Sequence, residues 1–132
     1  MSKLTLQATI SSLPKALEFL RAEAATHGLS DNSIYQLEIA TEEAIVNTML
    51  YGYPCPDPNN TITLEILADA TYCRLIITDH GIPFDPTQHV PDPDTTADPG
   101  GLGIFFIYKY TDKVTYERLG SLNQLTLLKE RG

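Results

Sequence analysis

Between Leu37 and Tyr53 the chain reads LEIATEEAIVNTMLYGY, and this stretch limits the choice of fold more than any other. It reads as one helix. Ile34, Leu37, Ala44, Ile45 and Met49 supply much of its apolar surface, yet it carries Glu43 and Asn47 where a core helix would prefer apolar residues. In a helix, side chains four residues apart sit about 40° apart on the same face, one turn above the other. A carboxylate in that place can take a proton from a hydroxyl or orient a water. An amide oxygen can ligate a hard cation such as magnesium. A lone E-x-x-x-N also describes an ordinary solvated helix face, so its meaning depends on what surrounds it.

Upstream, Leu4 to Ile10 alternates, with Leu4, Leu6, Ala8 and Ile10 on one side, which predicts a half-buried strand. Ser11 and Ser12 offer N-caps, and Pro14 is tolerated only in a first turn. The spacing of Leu13, Leu17, Leu20 and Ala24 then predicts a helix to about His27, closed by Gly28. Ser30 caps the second helix, with Asp31 favourable in its first turn. Gly52, Pro54, Pro56 and Pro58 stop that helix.

Downstream, Thr61–Leu67 and Tyr72–Thr78 alternate about Asp69-Ala70 and predict a hairpin. Lys113–Leu119 and Leu122–Lys129 predict another about Gly120-Ser121. Between the hairpins, residues 84–100 carry prolines and acids without periodicity, which suits a lid or binding loop. Gly100-Gly101-Leu102-Gly103 then opens a short apolar helix. The expected architecture is α+β, a two-layer sandwich: a mixed, mainly antiparallel sheet covered on one face by helices, in a single domain over residues 1–132. The apolar last helix reads as core because it must pack on the sheet.

Charge and cysteine content narrow the function. The net charge of -8, with no basic run, argues against nonspecific binding to nucleic acid or anionic membranes. No apolar run approaches membrane-spanning length, and the N-terminus is too short and polar for a signal peptide. Cys55 and Cys73 lack metal-ligand spacing and read as free thiols, which places the chain in the cytoplasm.

Three signals occur in order: E-x-x-x-N on a helix, D-x-G leaving a strand at Asp79 and Gly81, and G-G-L-G opening a helix. A glycine-rich helix start presents free N–H groups and a positive dipole end to phosphate. A strand-end aspartate can accept a hydrogen bond from an exocyclic amine. Together, EEAIVNTMLYGY, DHGIPFDP and GGLGIFFIYKYTDKVTYER, closed by NQLTLLKE, resemble the GHKL (Bergerat) ATP-binding domain of gyrase, Hsp90, histidine kinases and MutL. Its small RsbW-type branch of anti-sigma-factor serine/threonine kinases is the most similar. The resemblance runs from about Leu4 to Glu130.

The resemblance implies ATP and Mg2+ as cofactors. It implies Glu43 as general base toward a serine or threonine hydroxyl on a partner, and Asn47 as the magnesium ligand. Asp79 would read the adenine N6 amine, Gly81 would let the backbone approach the base, and Gly101, Leu102 and Gly103 would cradle the phosphates. Thr126, on the final strand, would lie near the adenine. The implied activity is phosphorylation of a protein antagonist in a partner-switching system. The implied partners are ATP/ADP and a sigma factor or anti-sigma-factor antagonist, and a homodimer is compatible with the family.

The chain also departs from the pattern. Tyr51 stands where these kinases often carry histidine, and Pro83 where the wider superfamily has a second glycine. The lid has four acids over 85–98 and no lysine or arginine, so charge stabilisation would fall to magnesium, backbone N–H groups and a residue such as Lys109. The alternative is a catalytically weak nucleotide-binding module that sequesters a protein partner.

Overall fold

The computed structural model describes residues 3–88 and 101–132. Among them, eight principal elements follow in order: β1 (Lys3–Gln7), α1 (Leu13–Thr26), α2 (Asp31–Asn47), β2 (Thr61–Ala68), β3 (Tyr72–Asp79), α3 (Gly101–Lys109), β4 (Lys113–Leu119) and β5 (Leu122–Glu130). The strands form one sheet in the order β1-β2-β3-β5-β4. The expected mixed sheet is corrected here, because every pairing among the described strands is antiparallel. The last hairpin docks through β5 rather than β4, so β3 and β4, which run the same way, never meet.

The buried alternation of the strands follows the period of two. Ile62, Leu64 and Ile66 of β2, Cys73, Leu75 and Ile77 of β3, and Leu125 and Leu127 of β5 all face the helices. Against them α1 lays Ala16, Leu20 and Ala24, spaced four residues apart. Its end is a Schellman turn: Gly28 N–H donates to Ala25 O (3.0 Å) and Leu29 N–H to Ala24 O (3.1 Å). Gly28 takes φ 81, which a side chain would resist.

Helix α2 is the central one, packed against both α1 and α3. Ser30 caps it as expected, its Oγ accepting from Ser33 N–H at 3.1 Å. Ile34, Leu37, Ala40, Thr41, Ala44 and Ile45 form its buried face, with Asn47 at its end. In α3, Ile104 and Ile107 are fully buried, as read from sequence, while Phe105 and Phe106 are half-buried.

Two local expectations change. Ile10 does not extend the first strand. After Ala8 N–H reaches Asn60 O, the chain turns into a short 3-10 segment, and Ile10 is 62% exposed. The Thr9 hydroxyl bonds the hydroxyls of Ser11 and Ser12, a local arrangement that competes with the sheet ladder and leaves Ser12 without a side-chain cap bond. The Leu37–Tyr53 helix also changes character. Its α-form ends at Asn47, and Thr48–Gly52 is a π-turn closed by Tyr53 N–H on Thr48 O at 3.2 Å. Most of the stretch read as a lid, residues 89–100, lies outside the described residues. Its described start stacks Phe84 on Tyr51, ring centroids 5.4 Å apart, and continues into a short 3-10 turn, Pro86–Gln88.

Candidate functional site

The end of α2, the end of β3, the second half of α3 and the first half of β5 line one cleft. Asn47, Thr48, Asp79, Phe84, Ile107 and Asn123 line it, and it encloses about 290 Å3 with its open mouth included.

One end is built from α2 and α3. Glu43 and Asn47 lie one turn apart, as read from sequence, and Gly103 is pressed against both. A Cβ at Gly103 would stand 2.7 Å from Glu43 Oε2 and 3.7 Å from either end of the Asn47 amide. A side chain at this position would have to push the Glu43 carboxylate out of its present place. Gly101 and Leu102 open the same helix turn. Their N–H groups belong to the first turn, where an α-helix has no internal acceptors for them. Asn47 is buried, and among the described residues its Nδ2 has no hydrogen-bond partner. A buried donor without a partner costs free energy unless something outside the chain satisfies it. Partial burial raises the Glu43 carboxyl above the ordinary range, and the neighbouring Glu42 charge raises it further.

The other end is built from β3, the turn after it and β5. Asp79 is 6% exposed. Its Oδ1 accepts from Gly81 N–H at 2.8 Å and from Asn123 Nδ2 at 2.9 Å. Burial raises the Asp79 carboxyl. The hydrogen bonds from Asn123 and Gly81, and the nearby charges of Arg118 and His80, offset part of that. Gly81 is wedged against the π-turn: a Cβ there would lie 2.3 Å from Gly52 O, and Ile82 N–H donates to that carbonyl at 2.8 Å. Tyr53, just past the π-turn, donates its hydroxyl to Thr61 O (2.6 Å) and accepts from His80 N–H (2.8 Å). The wider π-turn thus delivers a backbone carbonyl and a phenol to the strand-end loop.

The structure therefore brings together Glu43, Asn47 and Gly103 at one end and Asp79 and Gly81 at the other. It does not bring Thr126 to them. Strand residues alternate between faces, so Asn123, Leu125 and Leu127 face the helices while Thr126 faces the uncovered side, between Ile76 and Thr115. Lys109 is also remote from the Gly103 end. It sits in the last turn of α3, about 12 Å of helix rise from Gly101, with Nζ over the rings of Phe105 and Tyr110. Three residues at the site escaped the sequence reading. Asn123 pairs with Asp79, Tyr116 donates its hydroxyl to Asn123 Oδ1, and Arg118 Nη1 donates to Gly81 O at 2.8 Å. Asn123 carried a usable signal, being a polar residue in phase with Leu125 and Leu127. Tyr116 and Arg118 carried none, because their roles depend on the β4–β5 register.

These donors and acceptors fit a nucleotide. Asp79 offers a buried acceptor, the Gly103 turn a close backbone approach, and Asn47 an amide nitrogen with no partner among the described residues. Among the described residues no cluster of His, Cys, Asp or Glu is arranged to hold a metal by itself. No described helix is long and apolar enough to cross a membrane.

Known proteins share the sequence pattern and the fold. The chain is 27% identical over 128 residues to the serine/threonine-protein kinase BtrW of Bordetella bronchiseptica, a match covering 94% of this chain and 89% of that protein. Its fold resembles the RsbU and RsbW domains of Rv1364c from Mycobacterium tuberculosis (TM-score 0.64, 16% identity, 98% of this chain and 32% of that one). It also resembles the histidine kinase domain of a blue-light activated histidine kinase from Erythrobacter litoralis (TM-score 0.56, 11% identity, 90% and 59%). The chain thus spans less than two thirds of either structure. A profile for the histidine kinase-like ATPase domain matches residues 6–129. Since that match takes in nearly the whole sheet, its helical cover and both ends of the cleft, the chain belongs to the histidine kinase-like ATPase domain family.

Proposed function

We propose that residues 1–132 form one ATP-dependent serine/threonine protein kinase domain that phosphorylates an antagonist protein in a partner-switching system. ATP follows from the family. The protein substrate rests on the likeness to BtrW together with one observation: the Glu43 carboxylate lies against the Gly103 turn, the place a phosphate tail would reach. In this reading Asp79 holds the adenine amine, and Gly81 keeps the backbone close to the base. Gly101, Leu102 and Gly103 offer N–H groups to the phosphates. Asn47 Oδ1 would share a magnesium ion with phosphate oxygens, since magnesium needs few protein ligands when a nucleotide supplies the rest. Such an ion would neutralise phosphate charge. Glu43 takes the proton of the attacking hydroxyl, and its partial burial makes it a stronger base than a solvated carboxylate. Phosphoryl transfer depends on positioning and charge stabilisation more than on covalent chemistry.

A second reading is favoured by the position of Lys109. With that cation in the last turn of α3, engaged with the rings of Phe105 and Tyr110, the charge stabilisation expected of it at the Gly103 end is lacking, which suits a nucleotide-binding module that sequesters a partner without meaningful turnover. Two experiments separate the readings. Titration with ATP, ADP and GTP, with and without magnesium, should show adenine-nucleotide binding that Asp79→Asn abolishes. A cognate antagonist should then gain the mass of one phosphate, and Glu43→Ala should prevent it. An antagonist that binds tightly yet stays unmodified removes the kinase. A folded protein without affinity for ATP removes both readings.

A further inference from the structure

We propose that Asn123 sets the base selectivity of the cleft, dedicating one Asp79 oxygen to the protein so that the other accepts from a 6-amino purine and refuses a 6-oxo purine. This rests on the nucleotide reading of the site and goes beyond it, because Asp79 alone does not determine whether it acts as acceptor or donor. An ionised carboxylate only accepts hydrogen bonds. A protonated one donates and would welcome a purine carbonyl.

The geometry fixes each hydrogen in turn. The Phe84 backbone N–H faces the Tyr116 hydroxyl, so that hydroxyl spends its own proton on Asn123 Oδ1. The Asn123 amide is thereby oriented with its nitrogen inward. Nδ2 then donates one hydrogen to Asp79 Oδ1 (2.9 Å) and the other to Ile82 O (2.9 Å), with Gly81 O more distant at 3.3 Å. Gly81 N–H completes the pair of donors on Asp79 Oδ1. Both acceptor positions of that oxygen are thus taken, and among the described residues no group donates to Oδ2. Asn123 is 4% exposed, so water cannot readily substitute for its donor. The register supports the same pairing, with Asp79 directly opposite Asn123 across β3 and β5. The other groups around the carboxylate are His80 beside it in the chain, Arg118 and Tyr116 from β4, and Tyr53 after the π-turn.

Two replacements test this. Asn123→Leu keeps much of the volume and removes the donor. Asn123→Asp sets two carboxyl groups side by side in a buried place, where they share a proton and one of them stays protonated. The probes are ATP and inosine triphosphate, which differ at position 6 of the base, titrated into the wild-type protein and both variants. Thermal melting of each sample checks that it is folded. The wild-type protein should prefer ATP by on the order of 10–100-fold, because a buried polar group left facing the wrong partner is costly. In both variants that ratio should shrink by about 10-fold or more, through gained inosine nucleotide affinity as well as lost ATP affinity. Asn123→Asp carries the test if the leucine variant fails to fold. Equal weakening toward both nucleotides, with the ratio unchanged, would make Asn123 a structural residue and overturn the proposal. A wild-type protein that binds ATP and inosine triphosphate equally well would overturn it too, while leaving a nucleotide site in place. A wild-type protein that binds neither would remove the nucleotide reading itself, and this proposal with it.

Discussion

Gly81→Ala tests the tightest backbone contact in the site. A methyl there would lie 2.3 Å from Gly52 O and 2.7 Å from Gly52 C, both backbone atoms with no rotamer to escape into. Ordinary van der Waals contact begins near 3.4 Å, so the two segments must part by about 1 Å. That motion stretches the Ile82 N–H to Gly52 O bond, now 2.8 Å, beyond useful range. Overpacking costs about 1–3 kcal/mol and the lost hydrogen bond about 1 kcal/mol. Gly81 has no left-handed φ, so alanine suffers no backbone strain and recovers up to about 1 kcal/mol through the unfolded chain. The net loss is about 1–3 kcal/mol. With roughly 2.1 cal/mol/K of unfolding entropy per residue, a chain of this length should melt roughly 4–11 °C lower. Asp79 Oδ1, 3.0 Å from the same methyl, is displaced as well, so ATP affinity measured on the folded variant should fall. Calorimetry and nucleotide titration read the two effects separately. A melting temperature within about 2 °C of wild type, with unchanged ATP affinity, would show that the π-turn and the strand-end loop do not meet as described.

Other consequences are independent of that contact. Gly103→Ala should leave the melting temperature equal or higher, since alanine is favoured in a helix by about 1 kcal/mol. Its methyl, 2.7 Å from Glu43 Oε2, should slow the proposed phosphoryl transfer from ATP to the antagonist by on the order of 10–100-fold, and unchanged turnover would count against the role proposed for Glu43. In the proposed reaction Glu43 acts as a base only when ionised, so activity should fall as pH drops through its raised pKa. Glu42→Gln relieves part of that shift, and the acid limb of the pH–rate profile should move to lower pH; a limb that stays put would deny the Glu42 contribution. Cys73 is fully buried, its thiol pushed up to about 11, whereas Cys55 is exposed. Alkylation of the native protein at mildly alkaline pH should label Cys55 and spare Cys73, as peptide mapping would show, and labelled Cys73 would mean that the β2–β3–β5 core opens.

Much of this molecule was legible in its residue order. The strand pairs read as 61–67 with 72–78 and 113–119 with 122–129 announced themselves by alternation and turn residues, because hairpin pairing is a local event, and the structure extends three of these strands by one residue each. The spacing of Glu43 and Asn47 on one helix face needs only the helical repeat, and the cap at Ser30 only its hydroxyl and the next turn. What the sequence left open depends on contacts between distant segments. Whether β4 or β5 docks beside β3 is settled by how the hairpin packs under α2 and α3, and that choice puts Asn123 opposite Asp79. Once the register is set, the period of two turns Thr126 to the uncovered face and Asn123 into the cleft. The approach of Gly103 to Glu43, and of Gly81 to Gly52, joins residues 60 and 29 positions apart, a proximity no local pattern encodes. Residue types and spacing thus determined which chemical groups this chain could offer. Packing decided which of them face one another, because hydrogen bonds and steric contacts between remote segments exist only after the core has closed.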